Sequence, residues 1–204
     1  MPEVTEYLRK IEMINKVNVT ITSNTNQFAG IVPFSHESGL QTIVDGLGQT
    51  CAVVYKVPAY DVKVDGGGTY LAVRYGMQNN HKWPAPVTRR CDAGLYHPRI
   101  CAPSWKPVYS PHSFVGAGRV GAWVLLPHKG FYIHEGPDRN KGGVGGSLGC
   151  IEIMDARWNE FLDEIEHLGN ASCAAIGGAG KLKVRIEGDH YPNATLLGAI
   201  PVTN

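Results

Sequence analysis

The apolar and polar positions alternate over short runs for most of the chain, and two stretches break that rhythm with helical spacing. Near the start, Val4, Tyr7, Leu8, Ile11 and Ile14 recur every three to four residues, predicting an amphipathic helix over 3–14 that packs on the core. The strand-like Val17-Asn18-Val19-Thr20-Ile21-Thr22 follows. Residues 36–47 are ambiguous: Ile43, Val44 and Leu47 fit a short helix that Gly46 and Gly48 end. From 51 to 76 the period is that of strands, with runs at 52–55, 60–64 and 69–75 and a hairpin turn at Asp65-Gly66-Gly67-Gly68. Residues 77–118 are rich in Pro, Gly, His and Arg. Short strands are expected there near Val87-Thr88 and Val108-Tyr109, with part of the stretch walling a cleft. Two strands joined at 127–130 occupy 119–134. The second helical pattern is the clearest: Asp155 as N-cap, an apolar stripe of Trp158, Phe161, Leu162, Ile165 and Leu168, and Gly169 as the stop. Gly177-Gly178-Ala179-Gly180-Lys181 lacks the first glycine and the Ser/Thr of a phosphate loop, and reads as the turn before a strand over 182–187.

Composition narrows the picture. At 204 residues the chain is long enough for one domain with a substantial core. Neither an internal repeat nor a linker divides it, so 1–204 is expected to be a single domain, with 1–50 as an N-terminal helix and strand extension and 51–190 as its core. Plentiful Gly and Pro and short β-branched runs favour a mainly β (α+β) fold with a few packed helices. The formal net charge is +1 and only 18% of residues are charged. With no basic block, a nucleic-acid partner is not expected. No run approaches the roughly 18 apolar residues of a membrane span. The opening residues carry charges throughout and show no secretory signal peptide.

The candidate chemistry sits in 131–153, FYIHEGPDRNKGGVGGSLGCIEI. A β-type run, Phe131-Tyr132-Ile133, delivers His134. A glycine-rich loop leads to Ser147-Leu148-Gly149-Cys150, and Ile151-Glu152-Ile153 follows. A cysteine becomes a good nucleophile when a neighbouring imidazole removes its proton. Gly149 permits close backbone approach, so amides around Cys150 suit a developing oxyanion. A base also needs its second nitrogen oriented. Successive side chains on a strand point to opposite faces, so the Glu135 carbonyl is favoured over its carboxylate for that role.

This segment resembles the catalytic signature of the L,D-transpeptidase (YkuD-type) family. His134 and Ser147 have the family spacing, and Ser147, Gly149 and Cys150 match position for position. Ala122-Trp123-Val124-Leu125-Leu126-Pro127 is similar to the strand before the family histidine. The resemblance covers about residues 115–165. Three positions depart from it: Leu148 replaces a second His, Glu135 replaces Gly or Ser, and Glu152 replaces Arg. In these departures the chain looks like a divergent branch, of the kind found among secreted cell-wall-attacking effectors.

The resemblance implies a mixed-sheet, β-sandwich-like catalytic fold and acyl transfer or hydrolysis on a peptidoglycan stem peptide through a Cys150 thioester. His134 is the base, Glu135 its orienting partner, and Ser147 and Gly149 contact substrate or oxyanion. It implies no metal and no cofactor. It also implies action in the periplasm or cell wall, and a cognate inhibitor (immunity) protein if the chain is such an effector. Two rivals stand beside it: a zinc-dependent peptidoglycan peptidase, from the His134-x-x-x-Asp138 pair, and a non-catalytic β-rich binding module in which Cys150 is structural. With Cys150 as the working thiol, Cys51, Cys91, Cys101 and Cys173 remain. They allow three pairings into two disulfides. Cys91–Cys101 with Cys51–Cys173 is favoured in an oxidising compartment, against five reduced thiols in a reducing one.

Overall fold

The computed structural model describes residues 13–35, 39–74, 99–109, 120–127, 130–143, 150–187 and 194–202. Its strands, in chain order, are β1 (Val17–Ile31), β2 (Phe34–Ser35), β3 (Gly39–Leu40), β4 (Thr42–Val44), β5 (Thr50–Val64), β6 (Thr69–Val73), β7 (Ile100–Cys101), β8 (Ser104–Lys106), β9 (Ala122–Leu126), β10 (Phe131–Glu135), β11 (Ile151–Ile153), β12 (Leu182–Ile186) and β13 (Thr195–Pro201). The helices among the described residues are α1 (Trp158–Gly169) and α2 (Cys173–Gly178). The class is therefore mainly β.

The principal sheet is mixed. Its order is β7-β12-β1-β5-β6-β11-β10-β9-β8, with β4 and β13 both joined to β5. The pairs β1/β12 and β10/β11 are parallel. Val17 and Val184 from one end of this order and Trp123 and Leu125 from the other share one buried cluster, so the sheet curls around its core. Helix α1 fills the curl. Its period-3.6 stripe buries Trp158, Phe161, Leu162 and Ile165, each burial stabilising by about 1.5–3 kcal/mol. Trp105 of β8 packs edge-on against Trp123 at 5.0 Å between ring centroids.

The hairpin across Asp65–Gly68 forms as its glycines predict. β5 and β6 pair from Tyr60↔Ala72 to Lys63↔Thr69, and Gly66 has φ +81°. Helix α1 clasps this turn. Glu164 accepts from the Gly68 amide at 2.8 Å and from the Tyr70 hydroxyl at 2.9 Å, and Arg157 donates to the Thr69 carbonyl at 2.9 Å. β6 in turn pairs with β11 through Glu152↔Val73. The helix thus steadies the strand that follows Cys150 through the hairpin between them.

Several expectations are corrected. Residues 39–47 are not helical: Thr42–Val44 pairs with β5, and Asp45 closes an Asx-type turn by accepting from the Leu47 and Gln49 amides at 2.9 and 2.8 Å. The runs at 52–55 and 60–64 are one strand. Pro58 lies within it, opposite Phe28, where the register of β1 shifts between Asn24 and Phe28; at such a bulge a missing donor is tolerated. The short strand expected near Val108-Tyr109 is Ser104–Lys106 instead. Asp155 is not the N-cap of α1. Arg157 holds that position without a side-chain cap, because Asp155 and Ala156 turn the chain with φ of +63° and +58°. The Asp155 carboxylate binds Arg139 instead, at 3.0 Å to Nε and 2.5 Å to Nη2. Burial raises that carboxyl, but the Arg139 hydrogen bonds outweigh it and hold it below the usual range.

The favoured disulfides are also overturned. Cys51 and Cys173 are thiols, one at the start of β5 beside Asp45 and the other in the core at the start of α2. Cys101 is a thiol as well, which burial pushes up to about 11. Cys91, residues 3–12 of the helix predicted over 3–14, and the strand predicted near Val87-Thr88 lie outside the described residues; Met13 and Ile14 at the end of that prediction are in a turn.

Candidate active site

Strands β9 and β10 form the hairpin expected across 127–130. β10 then pairs in parallel with β11, and the register is Ile133↔Ile151, His134↔Glu152 and Glu135↔Ile153. Paired residues of neighbouring strands share a face, and successive residues alternate. Ile133, Ile151 and Ile153 are all fully buried in the core. The opposite face therefore carries His134 and Glu152, with Tyr132 and Cys150 one step earlier on each strand. A single sheet face thus gathers the imidazole and the thiol that the sequence holds apart.

The imidazole is anchored. His134 Nδ1 lies 2.6 Å from the Glu135 carbonyl oxygen. A carbonyl can only accept, so Nδ1 carries the proton of this hydrogen bond. The contact is to the Glu135 backbone, as side-chain alternation requires. His134 is only 3% exposed. The sulfur is less enclosed: Cys150 is a half-buried thiol whose Sγ lies 3.7 Å from the Gly130 carbonyl oxygen, its acceptor in this conformation.

Tyr109, three residues beyond β8, stands against the imidazole. Its ring lies 5.0 Å from the His134 ring, tilted by 48°, and 4.6 Å from the Tyr132 ring. The Lys106 ammonium stands over both tyrosines, at 5.7 and 5.2 Å from their centroids. Burial first, then the charges of Cys150 and Glu152, push the Tyr109 phenol well above its ordinary range.

Glu152 is 1% exposed and lies in register beside His134. The sequence marked it only as a departure from a family pattern. Its signal was the i, i+2 relation to Cys150. As a carboxylate it would favour the imidazolium that forms when His134 accepts a proton.

Close approach of β10 and β11 depends on Gly136. Its amide donates to the Ile153 carbonyl at 2.7 Å. A Cβ there would sit 2.7 Å from the Glu152 Cβ and 2.8 Å from the Glu152 carbonyl carbon. Gly136→Ala is expected to force the strand ends apart at a cost of about 1–3 kcal/mol. The check is thermal unfolding, where an unchanged melting temperature would refute the steric account.

Beyond Gly136, Asp138 is committed elsewhere. Its side chain accepts from the Asn140 amide at 3.0 Å and caps the 3-10 turn Arg139–Lys141. Among the described residues no three His, Cys, Asp or Glu side chains converge as a metal site would need. Ser147 and Gly149, read as substrate or oxyanion contacts, lie outside the described residues, as does Leu148. A cleft of about 700 Å³ lined by Lys16, Lys183 and Arg185 lies on β1 and β12, away from this chemistry in the sheet order.

No family model, curated protein or solved structure matches the chain. What the site can do is therefore argued from its own atoms. They comprise a half-exposed thiol, an imidazole held through Nδ1, a phenol ring against that imidazole, and a buried carboxyl side chain. That set suits proton abstraction from sulfur followed by attack on an electrophilic carbon. Among the described residues no helix is long and apolar enough to cross a membrane.

Proposed function

We propose that this chain is a cysteine-dependent acyl-transfer enzyme of the L,D-transpeptidase or L,D-carboxypeptidase type, acting on peptidoglycan stem peptides in the periplasm or cell wall. The observation that carries the reading is the parallel register of β10 and β11, which sets His134 and Cys150 on one sheet face where His134 Nδ1 is held by the Glu135 carbonyl.

His134 Nε2 takes the Sγ proton. The thiolate attacks a stem-peptide carbonyl carbon, and an oxyanion develops on its oxygen. The peptide C–N bond breaks, the amine leaves with the proton held by His134, and a Cys150 thioester remains. Water or a second amine then gives a proton to His134, attacks the thioester and releases the thiol. Glu152 beside the ring stabilises the imidazolium at both proton transfers. Ser147 and Gly149 fit substrate and oxyanion contacts by their positions in the family pattern alone.

Purified muropeptides incubated with the protein and weighed by mass spectrometry test this directly. Loss of a terminal residue marks water as acceptor; exchange or cross-linking marks an amine. Unchanged masses across tetrapeptide and pentapeptide stems would overturn the proposal.

The burial of His134 at 3% exposure favours a second reading, a non-catalytic β-rich module in which the Tyr109–His134–Tyr132 stack is structural. The two readings part on thiol reactivity, because only the enzyme requires a Cys150 that alkylates faster than an ordinary cysteine.

A further inference from the structure

The face that carries the imidazole also receives a positive charge. Trp105 pairs with Trp123, Trp123 with Ile133 and Ile133 with Ile151, and these four side chains pack on one core. Successive residues of a strand alternate, so Lys106, next to Trp105 on β8, stands on the face of Tyr132 and His134. Lys106 is exposed, yet its ammonium is seated. It lies 5.2 Å from the Tyr132 ring centroid and 5.7 Å from that of Tyr109. Those two rings are 4.6 Å apart, and the Tyr109 ring is 5.0 Å from that of His134. Among the described residues no carboxylate is within ion-pair distance of Lys106. The Glu152 carboxyl on this face is 1% exposed, so solvent does not reach it. An ammonium resting on ring faces keeps N–H donors directed outward for an anion.

Resting on the proposed function, we propose that Lys106, on its platform of Tyr109 and Tyr132, is the anion-recognising element of the substrate site: it takes a free carboxylate of the stem peptide and so sets the peptide carbonyl against Cys150. The contact is an ion pair and forms no covalent bond. A hydrogen bond from an ammonium to a carboxylate is roughly twice as strong as one between neutral groups, so an amide in place of that carboxylate binds more weakly. Lysine presents a compact charge rather than a planar fork. The selectivity is therefore for negative charge and not for the shape of one side chain, and any small anion approaching Cys150 feels the same attraction.

The test compares two alkylating agents of similar size, anionic iodoacetate and neutral iodoacetamide, on Cys150. The modified peptide is mapped by mass spectrometry so that the other cysteines do not contribute. The ratio of the two rates divides out any change in the thiol itself. Lys106→Met is expected to lower the iodoacetate-to-iodoacetamide ratio by about threefold at low salt, the scale of one partly screened charge. Lys106→Arg should restore most of it, and about 1 M salt should erase the difference between wild type and Lys106→Met. On muropeptides, Lys106→Met should raise KM by about fivefold for stems with free carboxylates, more than it does for amidated stems, and should change kcat less than KM. A ratio that Lys106→Met leaves unchanged, on a thiol that iodoacetamide labels fast, overturns the anion site and leaves the proposed function standing. A ratio that falls as expected, in a protein that converts no muropeptide, keeps the anion site and overturns the stem peptide as its ligand together with the proposed function.

Discussion

Cys150→Ala is expected to lower muropeptide conversion by about three orders of magnitude or more while the protein still folds. The first half follows from covalent catalysis. Without sulfur there is no thioester, and neither His134 nor Tyr109 can supply another nucleophile in its place. The second half follows from what Cys150 touches. Its contact with the Gly130 carbonyl is a weak S–H donor at 3.7 Å, worth no more than about 1 kcal/mol. The strand it precedes is held independently, by Ile151 and Ile153 in the core and by pairing to β10 and β6. Melting should therefore change little. Cys150→Ser sharpens the comparison: a hydroxyl keeps a donor and acceptor at that point but resists deprotonation, so it too should be inactive. Turnover by Cys150→Ala at the wild-type rate would end the proposal.

The site is built at a parallel strand pair, and that choice has a chemical consequence. In a parallel ladder the side chains of two strands line up in the same direction, so a residue and its i+2 neighbour on each strand make a small square on one face. Tyr132 and His134 form one side of the square, Cys150 and Glu152 the other. The opposite face sends Ile133, Ile151 and Ile153 into the core. A substitution of one of these isoleucines would disturb the square from beneath. Gly136 at its far corner lets the two strands stay this close.

Some of this could be read from the chain alone, and the reasons differ by element. The stripe of α1 was legible because an amphipathic period survives any tertiary arrangement. The hairpins β5/β6 and β9/β10 were legible because each has its own turn residues. The Asp155 cap was not, because Arg139 claims the carboxylate from a loop sixteen residues earlier. Helix α2 is short and ends in glycines, and what starts it is the Ser172 side chain accepting from the Ala175 amide. β13 is almost wholly exposed, so it lacks an alternating pattern and exists through its pairing with β5. Cys150 and His134 stood out through the glycine-rich loop between them. Their shared face rests on parallel register, which no local pattern encodes. Tyr109 approaches from a distant segment, and nothing in its neighbours marks it.

Removing the base should expose the dependence of the sulfur on its partner. His134→Ala is expected to slow Cys150 alkylation near neutral pH by at least about tenfold, the scale of one positioned proton acceptor at its weakest. It should also erase the limb of the pH–rate curve that an imidazole contributes. Because His134 is buried beneath the Tyr109 ring, the alanine variant leaves a cavity and loses stability by about 1–3 kcal/mol. His134→Asn separates the two effects. Its amide can still donate to the Glu135 carbonyl and fill much of the space, yet it cannot accept the thiol proton. If His134→Asn melts nearer to wild type than His134→Ala but alkylates as slowly, the imidazole acts as a base. If both variants alkylate along the wild-type pH curve, His134 is packing and the β-rich module is the better account. The sign is fixed by the tautomer: with Nδ1–H committed to the Glu135 carbonyl at 2.6 Å, Nε2 is the ring nitrogen left to receive the proton. Lowering the pH should remove an imidazole-dependent limb from the wild type alone, on top of the ordinary loss of thiolate that both variants share.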